Sequence, residues 1–198
     1  DRRQRQMCIR DSDNRNTAGF GLIPAGTLAG VSVQNQGKYK IDAGHSTTIY
    51  NGEAVKSASG YIVGGQGSAA PVIGTLNGIF FNAADTLKPT FSNFYKATIT
   101  PANSEDTTAF VLDNPLQQYV CGTDDAAAQA AFLETYDFNT TAGSDTTGKS
   151  SATLNIGVTG NDDKQFRLLR SAEDPENEDA TAAFASVVVC INLIELQS

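Results

Sequence analysis

The side chain best suited to acid–base chemistry in this sequence is its single histidine, His45. An imidazole can act as a general base near neutral pH. No nucleophile motif of the type Gly-x-Ser-x-Gly accompanies it. Without a second imidazole, zinc and most other transition-metal sites are also disfavoured. We therefore expect His45 to be a surface or turn residue rather than a catalytic one.

Carboxylates form three clusters, at Asp124-Asp125, at Asp162-Asp163 and in residues 173–179. Two carboxylates at a suitable separation can hydrolyse glycosides, and clustered oxygens can bind calcium. Each pair here is adjacent in sequence and lies in a predicted turn, and neighbouring side chains of an extended chain point to opposite sides. Their spacing does not match an EF-hand loop. We expect solvated turns rather than a calcium site or a catalytic pair.

Two other groups of residues look functional at first sight. The glycine-rich run at residues 64–68 is similar to a phosphate-binding loop, but no lysine follows at the required position and no helix pattern begins there. The aromatic residues Phe91, Phe94 and Tyr95 can stack on sugars or bases, although packing in the core is the favoured interpretation. The sequence therefore predicts no catalytic residue, no cofactor-binding residue and no metal ligand.

The chain is acidic, with 22 Asp and Glu residues against 14 Lys and Arg residues among 198, and a formal net charge of -8 at pH 7. Recognition of nucleic-acid phosphates needs clustered basic side chains. No basic run follows residue 15, so the composition argues against nucleic acid as a partner. No apolar stretch reaches the ~20 residues that a membrane-spanning helix needs, and we expect no membrane partner either.

The three cysteines, Cys8, Cys121 and Cys190, lie far apart and form no Cys-x-x-Cys pair. Their odd number and their spacing disfavour both a disulfide framework and a zinc site. Cys190 lies in the run Val-Val-Val-Cys-Ile, where a thiol behaves as a small buried hydrophobic group. Folding and assembly in a reducing cytoplasm is the simplest interpretation.

Residues 1–12 differ in character from the rest of the chain. They read DRRQRQMCIRDS and hold four arginines against two aspartates. The run looks like translated sequencing-adapter sequence, which occurs at the ends of proteins inferred from assembled environmental DNA. We expect a non-native or disordered segment that is not part of the fold. The alternative is a basic arm that lies along a neighbouring subunit.

The remaining residues divide into a lead-in and a β-rich domain. Residues 13–36 are rich in Gly, Ala, Asn and Thr, contain Pro24 and have no periodicity, which predicts an extended N-terminal arm. Residues 37–198 alternate short apolar runs with turn residues. This pattern predicts a mainly β fold of about ten antiparallel strands, a barrel or sandwich of the jelly-roll or β-tulip type.

The predicted strands lie at residues 39–41, 47–50, 53–56, 61–63, 72–81, 109–112, 119–121, 166–170 and 186–194. Asn51-Gly52 predicts a two-residue hairpin between the second and third of these strands, because both positions tolerate positive φ. The alanine-rich residues 125–134, preceded by Thr123-Asp124, predict the one short helix. The last strand is apolar at nearly every position, which predicts burial on both faces.

Eight short segments follow one another in an order that resembles a family of tailed-phage head proteins. They are the Gly-Phe pair at 19–20, IYNGEAVK at 49–56, GTLNGIFF at 74–81, FSNFYKA at 91–97, VLDNP at 111–115, TGKS at 147–150, FRLL at 166–169 and DPENE at 174–178. Each is a weak strand or turn motif alone, but their ordered recurrence covers about residues 16–194. Three features depart from the family pattern: Glu53 replaces an aspartate, the family's tryptophans are Phe or Tyr, and Glu178-Asp179-Ala180 replaces a Gly-Asn turn.

The resemblance implies a capsid decoration, or cement, protein, which is structural and not an enzyme. Such a protein binds the outer surface of a phage head, with the major capsid protein as partner, and stabilises the junctions between capsomers. A homo-oligomer, with a trimer favoured, and a place on the outside of the virion after assembly in the host cytoplasm are also implied. We expect residues 13–36 and 139–151 to make many of the contacts.

Three alternatives remain open. A carbohydrate-binding or receptor-binding β module on the same virion predicts an exposed groove lined by Phe91, Phe94 or Tyr95, whereas a cement protein predicts that these rings are buried. A glycosidase-like hydrolase requires two carboxylates that converge in a cleft. The major shell protein itself is expected to have a long spine helix and more residues than this chain supplies.

Overall fold

The computed structural model describes residues 14–30, 36–67, 70–157 and 163–197. Within these residues it contains eleven β-strands and three short 3₁₀ turns. Residues 1–12, Cys8 and Asp162, for which the sequence makes predictions, lie outside the described residues.

Five of the strands form one antiparallel sheet. They are β1 (Ile23–Thr27), β8 (Gln117–Gly122), β9 (Thr135–Tyr136), β10 (Phe166–Ser171) and β11 (Ser186–Ile191). Their order across the sheet is β1-β8-β11-β10-β9. The long acidic connection between β10 and β11 therefore returns the chain to a neighbouring antiparallel strand.

The other six strands form a second antiparallel sheet. They are β2 (Gln36–Ile41), β3 (Ala54–Ala58), β4 (Tyr61–Gly64), β5 (Gly74–Asn82), β6 (Pro89–Ser92) and β7 (Thr107–Leu112). The order is β2-β7-β5-β3-β4, and β6 pairs with β5. The first half of β5 pairs with β3 and its second half with β6, while β7 runs along its other edge.

The predicted fold class, mainly antiparallel β, is confirmed in the form of a sandwich-like arrangement of two sheets. The end strands β2 and β4 of the six-stranded sheet contact each other, so that this sheet curls strongly without closing into a barrel. Each sheet carries its own hydrophobic cluster. The larger cluster includes Tyr119, Tyr136, Phe138, Phe166, Val187 and Val189, and the smaller one includes Ile41, Ile49, Val55, Leu76, Ile79, Tyr95 and Val111.

β11 is buried along its whole length, as predicted for a strand that is covered on both faces. Cys190 in this strand is buried, as predicted, and Cys121 in the neighbouring strand β8 is buried too. Both are free thiols, which agrees with their behaviour as small hydrophobic side chains.

The helix predicted over residues 125–134 is wrong. The chain forms only one 3₁₀ turn there, Gln129–Ala131, and Leu133 adopts a positive φ of 70° just beyond it. Ala127 and Ala131 instead pack into the larger hydrophobic cluster. The helix propensity of alanine is a weak preference, and tertiary packing overrides it in residues 125–134.

The hairpin predicted at Asn51-Gly52 is also wrong. The hairpin in this region joins β3 and β4 through Ser59-Gly60, where both residues have positive φ, 52° and 85°. The strand predicted at 47–50 is reduced to a single bridge between Ile49 and Tyr95.

The segment predicted as an N-terminal arm is extended, but its described part lies against the rest of the molecule. β1 pairs with β8, and the side chain of Leu22 is only 2% exposed. The Asn14 amide donates hydrogen bonds to the carbonyl oxygens of Asp179 and Ala183, at 2.9 and 2.8 Å. Residues 14–30 are thus part of the packed domain.

We expect Gly74→Ala to weaken the fold, because β5 passes very close to the end of β7 there. An added Cβ would lie 2.0 Å from the carbonyl oxygen of Leu112 and 3.1 Å from the Cα of Asp113. Overpacking of this kind typically lowers the free energy of unfolding by about 1–3 kcal/mol, which urea denaturation would measure. Gly157→Ala is the control, because its nearest neighbour is a side-chain atom at 3.6 Å. Equal unfolding midpoints for the two variants would contradict this packing.

Candidate functional site

A buried turn at residues 50–53 joins three distant parts of the chain. The amide of Asn51 donates to the carbonyl of Gly148 at 2.8 Å, and the amide of Gly52 donates to the carbonyl of Leu76 in β5 at 2.9 Å. The carbonyl of Gly52 accepts from the amide of Leu22 at 2.9 Å. Gly52 has a positive φ of 76°, a conformation that glycine adopts at little cost. We call residues 50–53 the central turn.

The carboxyl group of Glu53 closes the central turn. Its Oε2 accepts a hydrogen bond from the backbone amide of Tyr50 at 2.8 Å, and the side-chain amide of Gln66 donates a second one. Glu53 is only 8% exposed, and no ion pair found among the described residues includes it. Burial raises the pKa of Glu53 to about 7, and the two hydrogen bonds only partly oppose this.

Glu53 also forms part of the wall of a cleft of about 350 Å³. The other lining residues are His45, Thr47, Thr48, Tyr50, Val63, Gly64, Gln66, Thr140, Thr141 and Ala142. We call this the Glu53 cleft. Glu53 is the only carboxylate among these lining residues, so the cleft lacks the pair of converging acids that the glycosidase alternative requires.

His45 follows the turn at Ala43-Gly44, as its sequence context predicts, but its ring is partly buried in the wall of the Glu53 cleft. The ring packs against Tyr95, with the centroids 5.5 Å apart. Burial lowers the pKa of His45, and the charge of Asp42 only partly opposes this. Burial thus favours the neutral form of the His45 imidazole.

The loop at residues 139–151 contributes one side of the cleft and is held by Tyr50. The hydroxyl of Tyr50 donates to Oδ1 of Asp145 at 2.8 Å, and its ring stacks on Phe94 at a centroid distance of 5.9 Å. Lys96 approaches the same aspartate at 3.6 Å. Thr140 and Thr141 of the same loop line the cleft together with Glu53.

A second candidate site lies on the outer surface of the six-stranded sheet. Phe80 of β5 lies directly opposite Phe91 of β6, so both side chains point to the same side. The Phe91 ring also lies 6.3 Å from the ring of Phe110 in β7. Phe80 is 40% exposed and Phe91 64% exposed. We call Phe80, Phe91 and Phe110 the aromatic face.

Gly78 makes room for this arrangement. Its φ is 155°, and a Cβ at this position would lie 2.6 Å from Cζ of Phe91. A register shift in the pairing of β5 with β7 falls immediately before Gly78. The ring of Phe91 therefore lies against bare backbone in the middle of the sheet, which restricts its motion even though it is exposed.

Two lysines border the aromatic face on the side of β2. Lys38 lies opposite Phe110, and Lys40 lies opposite Thr108, the partner of Phe80 in the next strand. Both lysines are exposed, and neither belongs to an ion pair found in the described part of the chain. A positively charged rim thus borders an aromatic centre on a protein whose net charge is -8.

The three aromatic residues singled out from the sequence therefore have different environments. Tyr95 is buried, as predicted, and its hydroxyl donates to the carbonyl of His45 at 2.9 Å. Phe94 is half-buried against Tyr50. The core position favoured for Phe91 is wrong, because that ring lies on the outer surface of the sheet.

The described carboxylates of the acidic clusters bond to separate groups and do not converge on one site. Oδ1 of Asp124 accepts from the amide of Ile156 at 2.8 Å, and Oδ2 of Asp174 accepts from the amide group of Asn177 at 2.8 Å, which lowers the pKa of Asp174. In the described residues no three His, Cys, Asp or Glu side chains lie together in a way that could hold a metal ion. None of the described helical turns is long and apolar enough to cross a membrane.

Comparisons with known proteins do not assign the chain to a family. No family model matches the chain, and neither a curated protein nor a solved structure matches it.

We expect Glu53→Gln to stabilise the protein at about pH 8 and to have little effect at about pH 5. The folded-state pKa of about 7 lies above the ordinary value of 4.5, so the buried charge lowers stability at high pH and the penalty disappears as the pH falls. At about 1.4 kcal/mol per pKa unit, the gain at high pH is on the order of 3 kcal/mol. A glutamine can still accept from Tyr50, and its amide can donate to Oε1 of Gln66, which has no partner.

Thermal and urea denaturation over this pH range would measure the difference. Glu134→Gln is the matched control because Glu134 is exposed, and its stability relative to the unmodified protein should not change between the two pH values. A Glu53→Gln effect of equal size at both pH values would contradict a buried, titrating carboxyl group.

Proposed function

We propose that this chain is a non-enzymatic structural protein that decorates the outer surface of a tailed-phage head and stabilises the junctions between its capsomers. The resemblance of the eight ordered segments is the reason for naming this class of protein. The exposure of Phe91 departs from the expectation that a cement protein buries this ring within its own fold, whereas Tyr95 is buried and Phe94 half-buried. The structural observation that supports the proposal is that Phe80 and Phe91 form an exposed apolar surface on the six-stranded sheet, which a neighbouring subunit would bury.

The composition of the aromatic face suits a protein partner. Protein interfaces have aromatic side chains at a centre that loses its water and charged groups at a solvated rim. Phe80 and Phe91 provide the centre, and Lys38 and Lys40 provide the rim. Because β5, β6 and β7 hold the rings in hydrogen-bonded strands, less side-chain and backbone freedom is lost on docking.

The edge of the five-stranded sheet supplies a second surface for contacts with neighbouring subunits. β1 pairs with β8 on one side only, and Ile23, Leu28 and Leu116 are each about half exposed along this edge. Contacts from two separate surfaces add avidity when the neighbours are fixed in a lattice. This supports the major capsid protein as partner and a homo-oligomer, with a trimer favoured by the resemblance.

The chemistry of the Glu53 cleft gives less support to an enzyme. Its lining residues contain a single carboxylate and an imidazole whose neutral form is favoured by burial, and no serine or cysteine nucleophile is among them. We therefore propose binding rather than catalysis as the activity of this chain.

We expect the double variant Phe80→Ser, Phe91→Ser to bind phage heads at least about tenfold more weakly, because loss of an aromatic anchor typically costs about 2 kcal/mol or more. The measurement is cosedimentation of the purified protein with heads of the encoding phage that lack this chain. Leu133→Ser is the control, since Leu133 is 63% exposed and its amide is bonded to β10 of the other sheet. A double variant with an unchanged circular dichroism spectrum that binds like the unmodified protein would refute the proposal.

A further inference from the structure

The Glu53 cleft is separate from the aromatic face, and the structural role proposed above does not use it. Its walls come from three parts of the chain: residues 45–53, residues 63–66 and residues 140–142. Most of the lining side chains are polar and uncharged. Four threonines, at positions 47, 48, 140 and 141, contribute hydroxyl groups, and Gln66 contributes an amide.

The lining residues select against charged ligands. No lysine or arginine lines the cleft, so nothing there would neutralise a phosphate or a carboxylate. Glu53 supplies the only acidic group, and it is already held by Tyr50 and Gln66. Hydroxyls and amides can both donate and accept hydrogen bonds, which suits a ligand that carries many hydroxyl groups.

Two polar atoms at the cleft have no hydrogen-bond partner among the described residues. They are Nε2 of His45 and Oε1 of Gln66, both buried in side chains that line the cleft. A buried polar atom without a partner costs free energy. Small rotations of the imidazole and of the amide would let both atoms bond to a ligand that enters the cleft.

The size and rigidity of the cleft suit one small ligand. Its volume of about 350 Å³ lies at the lower end of the ~300–1,000 Å³ range of ligand pockets. The loop that carries Thr140 and Thr141 is attached to the rest of the cleft by the bond from Tyr50 to Asp145, and the hydroxyl of Thr141 donates to Oδ1 of Asn139 at 3.0 Å. A site held in this way loses little freedom when a ligand binds.

We propose that the Glu53 cleft binds one uncharged sugar ring, with the threonine hydroxyls, Gln66, His45 and the Glu53 carboxyl group as its hydrogen-bond partners. The sugar is either free or the end of a glycan. The cleft shares no lining residue with the aromatic face, but Thr140, Thr141 and Ala142 lie in the loop at residues 139–151, for which capsid contacts are expected.

The test is a binding titration of the full chain, followed by NMR, with methyl glycosides of glucose, galactose, mannose and N-acetylglucosamine. Affinities in the ~0.1–10 mM range are expected for a single ring in an open cleft, with shifted signals from residues that line it. Methyl glucuronide has a carboxylate in place of the C6 hydroxymethyl group of methyl glucoside, and we expect it to bind at least about tenfold more weakly because no lysine or arginine is among the described residues that line the cleft. Equal affinity for methyl glucoside and methyl glucuronide would overturn the proposal. No binding of any of the four neutral glycosides at about 10 mM would overturn it too.

Thr140→Val removes one lining hydroxyl at nearly constant volume, and we expect it to weaken binding by about tenfold, the equivalent of one good hydrogen bond. Thr86→Val, at an exposed position outside the cleft, is the matched control and should bind normally. Unchanged affinity of Thr140→Val would place the ligand elsewhere and reject the site.

The double variant Phe80→Ser, Phe91→Ser should bind the glycoside normally even though it no longer attaches to heads, which separates this proposal from the preceding one. Loss of glycoside binding in that variant would instead assign the sugar to the aromatic face and contradict the cleft. An oligosaccharide that ends in the preferred sugar distinguishes the two sources: equal or tighter binding identifies a glycan end, and weaker binding identifies the free sugar.

Discussion

Backbone hydrogen bonds from the central turn hold the lead-in to β1, the strand β5 and the loop at residues 139–151 together. These three segments are far apart in sequence: the first leads into β1, β5 carries Phe80 of the aromatic face, and the loop lines the Glu53 cleft. The turn itself has only four residues, one of which is a glycine with positive φ. It is completed by a buried carboxyl group that bonds to its own backbone. The two sheets and the cleft are thus connected through this short turn. Its costly feature is the buried carboxyl group of Glu53, whose pKa is raised by burial.

β5 connects this turn to the aromatic face. Its first half is fixed by β3 and by the amide of Gly52, and its second half carries Phe80 beside β6. The register shift before Gly78 separates the two halves. Such a shift bends a strand and redirects its side chains. A distortion in one strand therefore lets the same element place Leu76 in the core and, four residues further on, Phe80 on the exposed aromatic face.

The fold class and most strands could be predicted from the sequence, because apolar runs such as the one in β11 have few alternatives to burial in a sheet. Local preference failed where distant packing decided the outcome. Ala127 and Ala131 of the predicted helix pack into the larger hydrophobic cluster, and Asn51-Gly52 bonds to remote segments instead of closing a hairpin. The exposure of Phe91 depends on Gly78 in a neighbouring strand. The Glu53 cleft combines segments about 80 residues apart, and no local pattern predicts such a combination.

We propose that the outer side of the six-stranded sheet is a protein-docking surface. Cryo-electron microscopy of heads from the encoding phage would test it most directly, because density for this chain can be oriented from its two unequal sheets. The account predicts that β5, β6 and β7 face the capsid, with Phe80 and Phe91 buried at the contact and Lys38 and Lys40 at its edge. Heads without such density, or density in which those rings point to solvent, would contradict it.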